Sequence, residues 1–124
     1  MQSLQRIPVA RLLKEQNPPT AIFAANDEVA AGAWRELVQR GIRIPNEMSL
    51  VGFGDRAEFS ILEPSLTSVS VLEEQLGERL AAMLLERLHN GRADVESATF
   101  PCRLAERGST GPPPPAGVRA GRAK

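Results

Sequence analysis

The stretch from Thr20 to Gly32 constrains this chain more than any other. Five residues suited to a buried strand, Thr20 to Ala24, run almost without a break into Asn26 and Asp27, and small residues at helical spacing begin there. An apolar strand that stops at an amide and a carboxylate, then turns straight into a helix, is the unit of an open α/β sheet. In such sheets ligands lie just beyond the carboxyl ends of the strands. The predicted fold class is therefore α/β, a parallel sheet flanked by helices.

The neighbouring segments fit that class. Val9 to Glu15 reads as the end of a surface helix, stopped by Asn17 and Pro18-Pro19. Asn26 is the natural N-cap of the next helix, Asp27 and Glu28 place negative charge in its first turn, and Gly41 closes it. Ala30, Ala33, Trp34, Leu37 and Val38 share one stripe of it. Ile42 to Met48 is a connection. Ser49 to Phe53 is a second apolar strand, so strand, helix and strand form one βαβ unit of the right-handed kind. Gly54-Asp55 opens a loop, Ala57 to Leu62 suits a short helical turn, and Leu66 to Val71 alternates like a half-buried strand. Leu72 to His89 is a long helix with Leu76, Leu80, Met83, Leu84 and Leu88 on one face, ended by Asn90-Gly91. Ala98 to Ala105 suits a last strand interrupted by Pro101. From Gly108 onward the composition is that of a tail. Residues 111–124, with four prolines and the basic end Arg119, Arg122 and Lys124, are expected to be disordered.

Composition removes several function classes. The 124 residues suffice for one domain, and 15 basic against 15 acidic residues leave no net field to draw the chain onto nucleic acid or an anionic membrane. No apolar run reaches the roughly 20 residues of a membrane span. Met1 to Glu15 is charged and amphipathic, unlike a signal peptide, and Cys102 is the only cysteine. A reducing, cytoplasmic setting is expected. His89 stands alone in the last turn of its helix, and Cys102, behind a proline in an apolar strand, is expected to be buried as a small hydrophobe. No spacing of His, Cys and carboxylates suits a metal or cofactor, and Gly52 with Gly54 makes only G-x-G. The chain is not read as an enzyme.

The strand ends remain. Asn26 both donates and accepts hydrogen bonds, which suits neighbouring sugar hydroxyls, but capping the helix uses the same residue type. Asp27 fits either a ligand contact or the helix dipole. Asp55 fits either a ligand contact or ordinary Gly-Asp turn chemistry.

Several ordered motifs settle on one family. Pro19 to Ala33, Gly41-Ile-Arg-Ile-Pro45, Met48-Ser-Leu-Val-Gly-Phe53 and Pro64-Ser-Leu-Thr-Ser-Val69 resemble the effector-binding domain of lactose-repressor/galactose-repressor (LacI/GalR) transcription regulators. The likeness extends, more thinly, through Leu76-Gly77 and Leu84 to Arg87, to Arg107-Gly-Ser-Thr110. The family joins a helix-turn-helix headpiece to two Rossmann-like lobes of the periplasmic-binding-protein type, with a small ligand, often a sugar, held between them.

The resemblance implies that residues 1–110 are the distal lobe of such a sensor. It places 72–91 as a helix crossing back toward a proximal lobe, and implies that DNA is reached only through a headpiece outside this chain. It assigns effector contact to Asn26, supported by Asp27, and to the corner Gly54-Asp55. The family's aspartate directly after Gly-(Tyr/Phe) falls here on Gly54, with the carboxylate displaced to Asp55, and the crossover position is the apolar Val71. Loss of that carboxylate favours a sugar acid over a neutral sugar. The family's homodimer face falls on Ala31, Gly32, Arg35 and the segment Phe59 to Leu62, although ordinary internal packing explains these residues equally. Two other readings share these features: a sugar-binding transport receptor with the same two lobes, and a bare dimerisation module.

Overall fold

A computed structural model of the chain describes residues 9–91 and 97–115. The sheet is built from β1 (Ala21–Phe23), β2 (Ser49–Phe53), β3 (Thr67–Val71) and β4 (Cys102–Ala105), in that spatial order. β1, β2 and β3 are parallel, with Phe23 beside Val51 and Val51 beside Thr67, while β4 runs antiparallel along β3 with Val71 opposite Cys102. The α/β class is as expected, and the sheet is mixed through its last strand.

Local chemistry accounts for each boundary. Helix α1 covers Val9–Leu12. Helix α2 (Asp27–Gln39) starts on Asn26, whose side chain accepts from Val29 N at 2.8 Å, and its C-cap Arg40 is followed by Gly41 at φ 71. A left-handed residue there suits glycine, which has no Cβ to clash. The connection into β2 is closed by Glu47, which accepts from the guanidinium and the backbone N–H of Arg43. Those two donors hold its carboxyl below the usual range. Ala57–Phe59 forms a single 3-10 turn, and α3 (Glu73–Asn90) ends at Gly91 in the left-handed region. The ring Nδ1 of His89 lies 2.8 Å from Leu85 O, back along its own helix, as suits a last-turn histidine.

One face of the sheet carries the core. Ile22 and Leu50 meet Ala30, Ala33 and Leu37 of α2, with Val9, Met48 and Leu66 completing a fully buried cluster. Each large member gains about 1.5–3 kcal/mol from leaving water. Trp34 is half-buried against this cluster, whereas Val38, placed on the same stripe by its spacing, is exposed.

The other face is open. Phe23, Phe53 and Leu104 stand exposed on it, so the described residues do not cover this face with a helix. Cys102 is exposed as well, correcting the expectation of burial. It sits on an edge strand with nothing packed outside it, and an apolar strand pattern cannot reveal that. Helix α3 makes no extended contact with any other element, and Leu80, Leu84, Leu85 and Leu88 are 54–71% exposed. Amide deuterium exchange should therefore be fast from Leu76 to Leu88 in the monomeric chain. Strong protection there would show that this leucine face is already covered.

A second correction concerns the end of the lobe. Gly108 to Gly111 is not a loose tail. Ser109 is fully buried, its Oγ donating to Leu50 O at 2.5 Å and accepting from Thr67 N at 2.8 Å, while Leu50 N donates to Ser109 O at 2.8 Å. Thr110 reaches the Thr67 hydroxyl at 3.1 Å, and Ser49 Oγ lies 3.2 Å from both N and O of Gly111. The hydroxyl of Ser109 thus bridges β2 and β3 at the first rung of their ladder. Arg119, Arg122 and Lys124 lie outside the described residues, as does the segment Met1 to Pro8.

Candidate functional site

The parallel pairing brings the carboxyl ends of β1 and β2 side by side. Ala24 N still donates to Val51 O at 2.8 Å just beyond β1. Two residues later Asn26 is extended and exposed at the head of α2. Its Oδ1 is committed to Val29 N, so the donors of its Nδ2 have no partner among the described residues. An exposed amide with two free donors beside a strand end is what a polyol or an acid ligand would use.

The corner after β2 lies next to it. Gly54 N donates to Val69 O at 2.9 Å, and Gly54 and Asp55 take φ values of 119 and 54. Aspartate tolerates the left-handed region better than most residues, which explains its place there. Its carboxylate does not stay at the tips. Arg107 Nη2 holds Asp55 Oδ1 at 2.6 Å, and Nη1 of the same guanidinium donates to Leu66 O at 2.7 Å, at the start of β3. The carboxylate is thus drawn away from the strand ends into an ion pair about one quarter exposed.

Asp27 is also turned inward. It is 1% exposed, and its oxygens accept from Ser68 Oγ at 2.6 Å and from Arg56 N at 2.8 Å. Its position explains Gly52, because a Cβ on Gly52 would sit 2.1 Å from Asp27 Oδ1. The carboxylate crosses β2 over that glycine to reach β3. Both oxygens are occupied within the fold, and the carboxylate lies buried beneath the strand ends. Around the rim, Arg56 pairs with Glu28 at 2.9 Å and with Glu58. Solvent screens these half-exposed pairs, so they add little to stability.

Of the four residues placed at the site by sequence, Asn26 and Gly54 lie at the tips, Asp27 lies below them, and Asp55 is paired away. Sequence reasoning missed Ser68 and Arg107. One signal was available: a glycine at position 52, inside an otherwise apolar strand, marks close approach by another group. For the other predicted face, Ala31 and Gly32 are half-buried and Arg35 exposed on α2. Phe59 and Leu62 pack onto the core, and Ile61 between them is 84% exposed. Val71 at the end of β3 is half-buried.

Comparison with known proteins shows the family and the fold. Residues 1–110 match the periplasmic binding protein-like domain. The HTH-type transcriptional repressor PurR of Klebsiella pneumoniae is 34% identical over 99 residues, 80% of this chain and 29% of the repressor. The chain belongs to the LacI/GalR family. Within this family, a LacI-family regulator from Enterococcus faecalis with bound ribose superposes with a TM-score of 0.74 at 39% identity, covering 84% of this chain and 38% of that one. The lac repressor dimer bound to operator and an anti-inducer gives a TM-score of 0.71 at 32% identity, covering 82% and 35%. The chain spans about three tenths of the length of the curated LacI/GalR relatives it matches. No helix among the described residues is long and apolar enough to cross a membrane.

Proposed function

We propose that this lobe is the effector-sensing and dimerisation part of a cytoplasmic LacI/GalR-type transcriptional regulator, with DNA contacted through a headpiece elsewhere. The adjacency of the strand tips carries the reading: the free donors of Asn26 stand beside the Gly54 corner, where a ligand between two lobes would lie. The bound ribose of the Enterococcus faecalis regulator supports a sugar-like effector for this family. Ligand gripped between lobes favours one lobe orientation over another, and that shift is transmitted to the DNA-binding heads. Relatives that are transcriptional repressors favour this reading over an enzyme or a transport receptor. Two copies would meet through α2 and the segment Phe59 to Leu62, with Ala31, Gly32 and Arg35 on the helix side.

The absence of a carboxylate at Gly54, together with the capture of Asp55 by Arg107, favours a sugar acid over a neutral sugar. Calorimetry on the full-length protein with D-ribose and D-gluconate tests both levels. Gluconate should bind more tightly. Tight ribose binding with no response to gluconate would end the sugar-acid reading, and no binding of any sugar or sugar acid would end the sensor reading.

One substitution separates the two duties of Asn26. Asn26→Asp keeps an oxygen that caps α2 about as well, but removes the amide donors and adds charge. Melting temperature should stay within a few degrees of wild type while effector affinity falls at least about tenfold, the worth of one well-made polar contact at about 1.4 kcal/mol. Equal loss of stability and affinity would show Asn26 to be a cap and nothing more.

A further inference from the structure

We infer that Ser68 is a positioning residue of the effector site, because its hydroxyl closes a ring of hydrogen bonds that fixes the Gly54-Asp55 corner relative to Asn26. Ser68 Oγ accepts from Asp55 N at 3.1 Å and donates to Asp27 Oδ1 at 2.6 Å. The other oxygen of Asp27 accepts from Arg56 N at 2.8 Å. Two consecutive backbone amides of the corner are therefore tethered to one carboxylate, one directly and one through the serine.

The carboxylate belongs to the residue directly after Asn26, and Asn26 itself is locked by its bond to Val29 N. Movement of the corner against the amide must break the ring. A hydroxyl suits the junction since it accepts and donates at once, which neither an aliphatic nor a carboxylate side chain does. Ser68 is 1% exposed, so no ligand reaches it, and whatever it does for binding is done through the tips. The inference rests on the reading that an effector lies at these tips.

A purely structural role would make Ser68 equivalent to Ser109. That serine is also fully buried with two hydrogen bonds of its hydroxyl, but its partners are Leu50 O and Thr67 N, and it has no bond to Asp27, Asp55 or Arg56 among the described residues. Ser109→Ala is therefore the control. Nitrogen-15 spectra of the 124-residue chain are compared for wild type, Ser68→Ala and Ser109→Ala. With Ser68→Ala, the Asn26 side-chain amide and the Gly54 and Asp55 amides should shift, and exchange at Asp55 N should rise at least tenfold. With Ser109→Ala those signals should stay in place.

Unmoved Asn26 and Gly54 signals in Ser68→Ala would overturn the inference. If that variant does not fold, Ser68→Cys keeps nearly the same volume with a weaker donor and should show the same shifts at smaller size; unmoved signals there would overturn the inference equally. The second arm is calorimetry of the full-length protein with D-ribose and D-gluconate. Ser68→Ala should lose at least tenfold in affinity for the sugar that wild type binds, against less than twofold for Ser109→Ala. Equal losses in the two variants would reduce Ser68 to a structural residue. Wild type that binds neither sugar would count against the effector reading alone, and the spectra would still decide whether Ser68 positions the tips.

Discussion

Gly52→Ala is expected to lower the stability of the chain by about 3 kcal/mol. The new Cβ would lie 2.1 Å from Asp27 Oδ1 and 3.1 Å from Leu66 Cδ2. The carboxylate cannot swing aside freely, because Ser68 Oγ and Arg56 N hold its two oxygens. If it stays, overpacking costs about 1–3 kcal/mol. If it leaves, two hydrogen bonds to a charged group are lost, each worth about 1.5–3 kcal/mol, and their donors are stranded indoors. Urea denaturation reads the result. The contrast is Gly77→Ala, where nothing lies within 4 Å of the added carbon in the middle of α3. There alanine should stabilise the helix by about 0.5–1 kcal/mol. Equal effects of the two substitutions would mean that the carboxylate does not cross β2 in solution.

Ser109→Ala should cost about 2–3 kcal/mol. Its hydroxyl is the acceptor for Thr67 N and a donor to Leu50 O, and both residues are buried at the first rung between β2 and β3. Removing the oxygen leaves an N–H and a C=O unsatisfied, at about 1–3 kcal/mol per group, while the backbone bond from Leu50 N to Ser109 O still keeps the segment on the sheet. Denaturant melts give the total, and exchange at Thr67 N locates it. An unchanged midpoint would show that the segment after Arg107 is not held against the sheet.

The fold from Thr20 to Val71 was legible because its signals are local. Asn26 caps the helix three residues ahead of it, Gly41 ends the helix it follows, and the apolar runs of β1 and β2 each carry their own boundaries. The site was legible in outline for the same reason, since a parallel pair necessarily ends side by side. What escaped was set by contacts between residues far apart in sequence. Ser68 and Asp27 are 41 positions apart, and Ser109 and Thr67 are 42 apart. A serine in an alternating strand, or a Gly-Ser-Thr run before four prolines, looks the same whether it is buried or free. Asp55 followed the same rule: the Gly-Asp turn could be read, but its capture by Arg107 could not. The expected burial of Cys102 failed because strand composition does not say which strand ends the sheet.

The two faces of the sheet imply unequal tolerance to mutation. Beneath α2 a change at Leu37, Leu50 or Met48 is felt by the lobe itself. Phe23 and Phe53 on the open side, like Leu84 and Leu88 on α3, are exposed and contribute little to the folding of this chain alone, so polar replacements there should leave its stability nearly unchanged. In the proposed sensor such side chains would matter only where a second lobe rests on them. A map of permitted residues measured on this chain by itself would then differ from one drawn by evolution, and the positions where the two disagree would outline the surface on which such a lobe rests.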